Sequence, residues 1–194
     1  MQLSSSFADH FETVIVNFAD IFGIVCIAGS ATHVATGQSM ALRRMNLESF
    51  LDDGGGLALP HFYSHPSIWE PFTERDLDTC VNRNCINRIR DVTRISQPLI
   101  DELARGGSAS NLPAWAEQRN NLNAATMHFL MRVSSEIDSL SALPISDRIE
   151  SVGEWLESAI ARQSSVRRRF ADAKINGKMA PADVWLEIYE EFLL

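Results

Sequence analysis

The sequence has few cysteines, and this limits how the fold can be held together. Three cysteines occur in 194 residues, and a chain of this length can bury a core large enough to fold without disulfide bonds. An odd number also argues against a framework of paired disulfides, so we expect a reducing, cytoplasmic location. We expect Cys26, Cys80 and Cys85 to be structural. On a continuous helix, Cys80 and Cys85 would point about 140° apart, too far to share a metal or a disulfide.

Basic residues are also scarce relative to acidic ones. The chain carries 17 Lys and Arg against 25 Asp and Glu, a net charge of −8. Such a field repels nucleic acid and anionic lipid unless a local basic surface overrides it, so nucleic acid is disfavoured as a partner. The sequence also has no internal repeat and no low-complexity tract, which argues against a solenoid and against a disordered chain.

One long apolar run is present, beginning at Val14 and ending at Ala31. Its hydropathy is high enough for a membrane span, but Asp20 interrupts it and no positive residue precedes it, as a secretory signal would require. Its apolar residues recur three and four apart, which predicts a central, largely buried helix. Two alternatives stay open: a membrane helix over the same run, and strands at residues 13–17 and 24–27.

Helical periodicity continues along the rest of the chain, between clear breakers. Thr73 and Asp76 predict a capping box at the start of a helix that runs to Arg105, with a kink at Pro98 and a stop at Gly106. Further helices are predicted at residues 38–51, 113–143, 146–174 and from 181 onward.

The predicted fold is therefore all-α: one helical bundle of five to six helices over residues 1–194. An aromatic-rich loop is expected at residues 57–72, where prolines and aromatic residues follow no sustained period. The Gly-rich and Pro-rich connection at residues 52–72 is the one place where a sub-boundary would fit.

His61, His65 and Glu70 form the one cluster of metal-ligand residues on a short segment. Two imidazoles and a carboxylate suit zinc or iron and leave a position for water or substrate. Pro60 and Pro66 predict an irregular loop, in which the rings need not converge. We favour a packed loop with histidines at the solvent edge, and we expect no cofactor.

His128 lies beside the apolar seam of the predicted helix at residues 113–143. A histidine in a bundle core could ligate haem. A lone histidine beside an apolar face is more often hydrogen-bonded and structural, and this is the role we expect.

Arginines recur at helical spacing in the predicted helix that ends at Arg105. Arg83, Arg90 and Arg94, with Asn87 between them, would form one stripe, and guanidinium groups bind carboxylates or phosphates. Residues 57–106 contain six arginines and seven acidic residues. This balance favours pairing within the chain, with a protein contact as the alternative and nucleic acid disfavoured. Residues 167–169 are a second arginine cluster, for which we also favour pairing within the chain, with a protein contact as the alternative.

The last predicted helix combines aromatic and acidic residues. Trp185, Tyr189 and Phe192 stand beside four carboxylates, and aromatic anchors supply much of the energy of protein interfaces. Packing of this helix onto its own bundle is the competing interpretation.

No catalytic constellation is evident, and no motif is specific enough to name a family. We therefore predict a non-enzymatic helical protein that binds another protein as a regulator, inhibitor, immunity-type or adaptor module. The predicted partner-binding residues are Arg83, Arg90, Arg94, Trp185 and Tyr189. The alternative is a helical enzyme that binds a small molecule or metal through His61, His65 and Glu70. A homo-oligomer is compatible with either hypothesis.

Overall fold

The computed structural model describes residues 2–17, 23–35, 63–65, 68–116, 118–169 and 182–193. These ranges are mostly helical and also contain two pairs of short strands. The predicted helix at residues 38–51 lies outside them. Within the described part of the chain, no helix is both long enough and apolar enough to cross a membrane.

Eight α-helices occur in the described ranges, together with two short 3-10 helices. The α-helices are α1 (Gln2–Ala8), α2 (Gly23–Ala28), α3 (Glu74–Asn82), α4 (Gln97–Ala104), α5 (Pro113–Ala116), α6 (Gln118–Ser141), α7 (Ile145–Arg167) and α8 (Ala182–Leu193). The 3-10 helices are Ile86–Arg88 and Ala109–Asn111, and the strands are β1 (Ile15–Asn17), β2 (His33–Ala35), β3 (Tyr63–His65) and β4 (Ile68–Phe72).

The chain divides into two compact units. The first comprises residues 1–58, 133–155 and 184–194, and the second comprises residues 59–132 and 156–183.

In the first unit, β1 and β2 pair in parallel, and α2 lies between them in sequence. Thr32 holds the residue before β1 through two hydrogen bonds. Its Oγ1 accepts a hydrogen bond from the backbone N–H of Val14 at 2.9 Å and donates one to the Val14 carbonyl at 3.0 Å. Helix α2 ends at a turn in which Ser30 has a φ of 67°. The backbone N–H of Ala31 then donates to the carbonyl of Cys26 at 3.0 Å, which closes the turn.

The prediction of one continuous helix over this apolar run is wrong. Residues 15–17 form a strand, because a second short strand 18 residues further along the chain satisfies their backbone groups. The alternative of two strands is right at residues 15–17 but wrong at residues 24–27, which are helical. The second half of the run is buried as expected, with Ile24, Val25 and Ile27 at most 1% exposed.

In the second unit, a hydrophobic core collects side chains from α3, α4, α6, α7 and the segments between them. The predicted capping box at the start of α3 is confirmed: the Thr73 N–H donates to Asp76 Oδ2 at 2.8 Å, and the Asp76 N–H donates to Thr73 Oγ1. The largest buried members of this core are Phe72, Leu77, Ile89, Leu99, Ile100 and Trp115.

The predicted helix to Arg105 is interrupted. Helix α3 ends at Asn82, because Asn84 adopts the left-handed conformation with a φ of 50°. Pro98 lies in the first turn of the separate helix α4 and is not a kink. The predicted stop at Gly106 is confirmed, since this glycine has a φ of 82° just after α4.

The all-α prediction thus holds for the predominance of helix but misses the strands. The prediction of an irregular loop at residues 57–72 is also wrong in part, because β3 and β4 pair antiparallel there. Aromatic and β-branched residues such as Tyr63, Ile68 and Trp69 favour an extended backbone.

Candidate functional site

Helix α8 is anchored in the first unit through Tyr189. The side chain of Tyr189 is only 2% exposed, and its hydroxyl donates a hydrogen bond to the backbone carbonyl of Ile149 on α7. Gly153 lies one turn further along α7 and leaves room for the ring, since a Cβ at this position would lie 3.4 Å from Cε1 of Tyr189. Tyr189, predicted from sequence to bind a partner, therefore packs within its own unit.

A neighbouring face of α8 is open to solvent. Val184 and Ile188 are each 44% exposed, and positions four residues apart lie about 40° apart around a helix. Glu187 and Glu191 are exposed and flank this pair on one side. We call Val184, Ile188, Glu187 and Glu191 the α8 surface.

Half-buried aromatic residues border the α8 surface on its other side. Trp185 and Phe192 lie about 60° and 40° beyond Ile188 around the helix, and both are partly exposed. The apolar stripe therefore combines two aliphatic side chains with the edges of two aromatic rings. Such a stripe, bordered by carboxylates, can accept an apolar surface that carries positive charge at its rim.

The predicted arginine stripe does not exist as one helical face. Arg83 lies at the C-terminal cap of α3, and Arg90 and Arg94 follow in the irregular segment before α4. Arg90 Nη2 lies 3.6 Å from Asp101 Oδ1 in an exposed ion pair, which accords with pairing inside the chain. A role for Arg83, Arg90 and Arg94 in partner binding stays a prediction.

The predicted metal ligands are only partly within the described chain. His61 lies outside it, while the backbones of His65 and Glu70 belong to β3 and β4. Among the described residues, no group of three His, Cys, Asp or Glu side chains could hold a metal ion. The metal site at His61, His65 and Glu70 stays a prediction.

A buried polar cluster surrounds His128 in the second unit. Nδ1 of His128 lies 3.0 Å from Thr93 Oγ1, and Nε2 lies 3.8 Å from Asp91 Oδ2. Arg132 Nε donates to the same carboxylate oxygen at 2.7 Å. Burial raises the pKa of Asp91 above its ordinary value, against the opposing effect of Arg132.

Thr93 and Ser96 connect this cluster to the start of α4. Ser96 Oγ accepts from the Thr93 N–H at 2.9 Å, and Thr93 Oγ1 accepts from the Ser96 N–H at 3.2 Å. These two bonds close the turn that precedes α4, and Ser96 Oγ also donates to the Asp91 carbonyl at 3.0 Å.

An Asp, a His and a Thr side chain in contact also resemble the parts of a nucleophilic triad. Here, however, His128 and Ser96 are fully buried, and Thr93 is only 9% exposed. The Thr93 hydroxyl is already engaged by backbone N–H groups. The cluster is therefore closed to a substrate and acts as a structural network, as expected for a hydrogen-bonded His128.

The cysteine geometry differs from the expectation based on a continuous helix. Cys85 lies beyond the end of α3, and its Sγ donates to the carbonyl of Cys80 at 3.3 Å. Both thiols are free and buried. Burial raises the pKa of Cys80 and Cys85 above the usual thiol value, which disfavours the reactive thiolate.

Comparisons of the chain with protein-family models, with curated proteins and with solved structures find no significant match. Function therefore has to be inferred from the chemistry of the chain's own surfaces. In the described part of the first unit, the α8 surface combines exposed apolar side chains and flanking charge with a backbone anchored through Tyr189.

Proposed function

We propose that this chain is a non-enzymatic helical protein that acts by binding another protein through the α8 surface, as a regulator, inhibitor or adaptor. The observation that carries the proposal is the exposure of Val184 and Ile188 on a helix whose other side is fastened by Tyr189. A helix fixed in this way presents its apolar side chains without a large loss of conformational entropy on binding.

The charges of α8 indicate what kind of partner fits. The helix carries Asp183, Glu187, Glu190 and Glu191 and no basic residue, and the whole chain has a net charge of −8. Complementary charge speeds association and selects among partners. The proposed partner is therefore a protein with an apolar groove rimmed by Lys or Arg.

The proposal also includes two finer points about the protein. We place the helices in one bundle-like scaffold, for which the mostly helical chain is the support. We also place the protein in the cytoplasm, since Cys26, Cys80 and Cys85 are all free thiols. We also propose that Arg90 and Arg94 contact the partner protein, separately from the α8 surface.

The test is native mass spectrometry of the protein purified gently, without detergent, from cells of its own source. We expect a species in which the 21.6 kDa chain carries a second polypeptide. The double variant Val184→Ser with Ile188→Ser should lose that polypeptide, because it removes the exposed apolar stripe while leaving Tyr189 in place.

The matched control is Ile15→Ser, which also replaces an aliphatic side chain that is more than half exposed in the same unit. It should retain the second polypeptide. A wild-type chain that carries no polypeptide, or a double variant that keeps it, would overturn the proposal. A mass increment that fits a metal or a small organic molecule would favour the enzyme alternative at His61, His65 and Glu70.

A further inference from the structure

Two stretches of the second unit carry basic residues and no acidic ones. Residues 79–90 contain Arg83, Arg88 and Arg90, and residues 158–171 contain Arg162 and the three arginines of 167–169. Seven of the chain's 17 basic residues thus fall in two acid-free segments of an acidic protein. The two segments are more than 60 residues apart in sequence, so only the fold can bring them together.

The fold does bring them together. Val166 of α7 belongs to the same buried core as Cys85 and Ile86. Arg162 Nη1 donates to the backbone carbonyl of Arg88 at 3.1 Å, and the Arg88 guanidinium donates to Ser165 Oγ. The last turns of α7 therefore lie against the 3-10 helix Ile86–Arg88.

The turn after α3 fixes a third arginine in the same place. The Cys85 N–H donates to the Cys80 carbonyl at 3.0 Å, and the Asn84 N–H donates to the Val81 carbonyl at 2.9 Å. These two bonds and the left-handed Asn84 form a Schellman turn. Arg83 sits in this turn, two residues before Cys85.

The Cys85 thiol lies within electrostatic reach of all three arginines. Arg169, Arg88 and Arg83 each act on this thiol and lower the pKa, although burial raises that pKa by more. Arg169 follows Val166 by three residues, Arg83 precedes Cys85 by two, and Val166 and Cys85 belong to one buried core. Arg83, Arg88 and Arg169 therefore lie on neighbouring segments of the second unit.

These guanidinium groups face solvent, and Arg88 keeps further N–H donors beside the one that it donates to Ser165. Arg83, Arg88 and Arg169 are all exposed, and none of them lies within salt-bridge distance of a carboxylate in the described part of the chain. Guanidinium groups present paired N–H donors that match the oxygens of a phosphate group. Three such groups suit a ligand that carries more than one negative charge.

We propose that Arg83, Arg88 and Arg169 form a binding site for the phosphate group of a small soluble molecule. This triarginine site lies in the second unit and does not depend on partner binding by the α8 surface. The competing explanation is that the arginines only neutralise the negative ends of α3, the 3-10 helix and α7, where all three reside. That explanation predicts an effect on stability but none on anion binding.

The experiment is isothermal titration calorimetry of the whole chain with pyrophosphate at a fixed, low ionic strength of about 50 mM, where screening is weak. We expect saturable binding to the wild type. The double variant Arg83→Gln with Arg169→Gln should weaken it by about tenfold or more, since two of three charge-assisted contacts are removed. Arg169→Gln alone should give a smaller loss and serves if the double variant unfolds.

The matched control is Arg75→Gln, because Arg75 is also exposed on α3 but lies in its first turn, at the opposite end of the helix from Arg83. It should bind pyrophosphate as the wild type does, and thermal unfolding should show that every titrated variant is folded. The proposal fails if the wild type gives no binding heat, or if all variants bind equally. It also fails if the double variant is less stable but binds unchanged, which is the result expected from helix-end neutralisation.

Discussion

The hydroxyl of Tyr189 donates a hydrogen bond to the backbone carbonyl of Ile149 and so ties α8 to α7 within the first unit. Ile188, the neighbouring residue, is 44% exposed. Adjacent residues of α8 therefore differ in environment: Tyr189 is buried and fixes the helix, and Ile188 is exposed on the α8 surface, which we propose binds a partner.

Replacing these two residues should separate stability from binding. Tyr189→Phe should lower the free energy of unfolding by about 1 kcal/mol, the typical net contribution of one hydrogen bond. Ile188→Ala should change it by less than about 0.5 kcal/mol, because the residue is 44% exposed and alanine favours the helix more than isoleucine does. Urea denaturation measures both values. Equal losses in the two variants would mean that Ile188 is packed as firmly as Tyr189.

The His128 cluster should prove structural. His128→Leu removes the partner 3.0 Å from Thr93 Oγ1 and should lower the free energy of unfolding by about 1–3 kcal/mol. The control is Met127→Leu, which changes an exposed neighbour and should stay within about 0.5 kcal/mol of the wild type. Urea denaturation checks both, and partner capture should be unchanged. A folded His128→Leu chain with full stability and lost function would instead indicate a functional histidine.

Gly23 and Val34 should be energetically coupled. A Cβ at Gly23 would overlap the Cγ1 methyl of Val34, so Gly23→Ala should lower the free energy of unfolding by about 1–3 kcal/mol through overpacking. In a Val34→Ala background the same change should be smaller, because the methyl groups are gone. A double-mutant cycle of unfolding free energies measures this coupling. Additive effects would show that α2 does not contact β2 at this point.

Local signals made part of this fold predictable. Thr73 and Asp76 lie three residues apart, and Gly106 follows the last periodic residues of α4, so the sequence itself carries the caps that begin α3 and end α4. The end of α3 carried a weaker signal. Asn84 reaches the left-handed region less readily than glycine, and the helical spacing of apolar residues continued past it.

Contacts between distant residues were not predictable in the same way. The strand at residues 15–17 exists because residues 33–35 pair with it, and its β-branched residues alone supported a strand only as an alternative to helix. His128 finds Thr93 at a separation of 35 residues. Arg162 reaches the Arg88 carbonyl at a separation of 74 residues, so spacing along one helix pointed to the wrong neighbours.

Stability should fall in alkaline solution because two thiols are buried. The pKa of Cys80 and of Cys85 is raised above 9.0 in the folded chain, so above about pH 9 the unfolded chain releases these protons first. The two buried thiols therefore contribute fully to the free energy of unfolding below pH 9, and this contribution is lost as the pH rises. Urea denaturation at about pH 8 and pH 10 should show a lower free energy of unfolding at the higher pH. In Cys80→Ser the difference between the two pH values should be smaller. A pH-independent stability would contradict burial of the thiols.

The most direct test of the central claim is photo-crosslinking from position 188 in cells of the protein's own source. A benzophenone amino acid there should crosslink one polypeptide, through a segment rich in Lys or Arg beside apolar residues. The same crosslinker at position 15, also exposed in the first unit, should not capture it, and Glu187→Lys with Glu191→Lys should abolish the product from position 188. No product from position 188, or the same product from both positions, would contradict partner binding through the α8 surface.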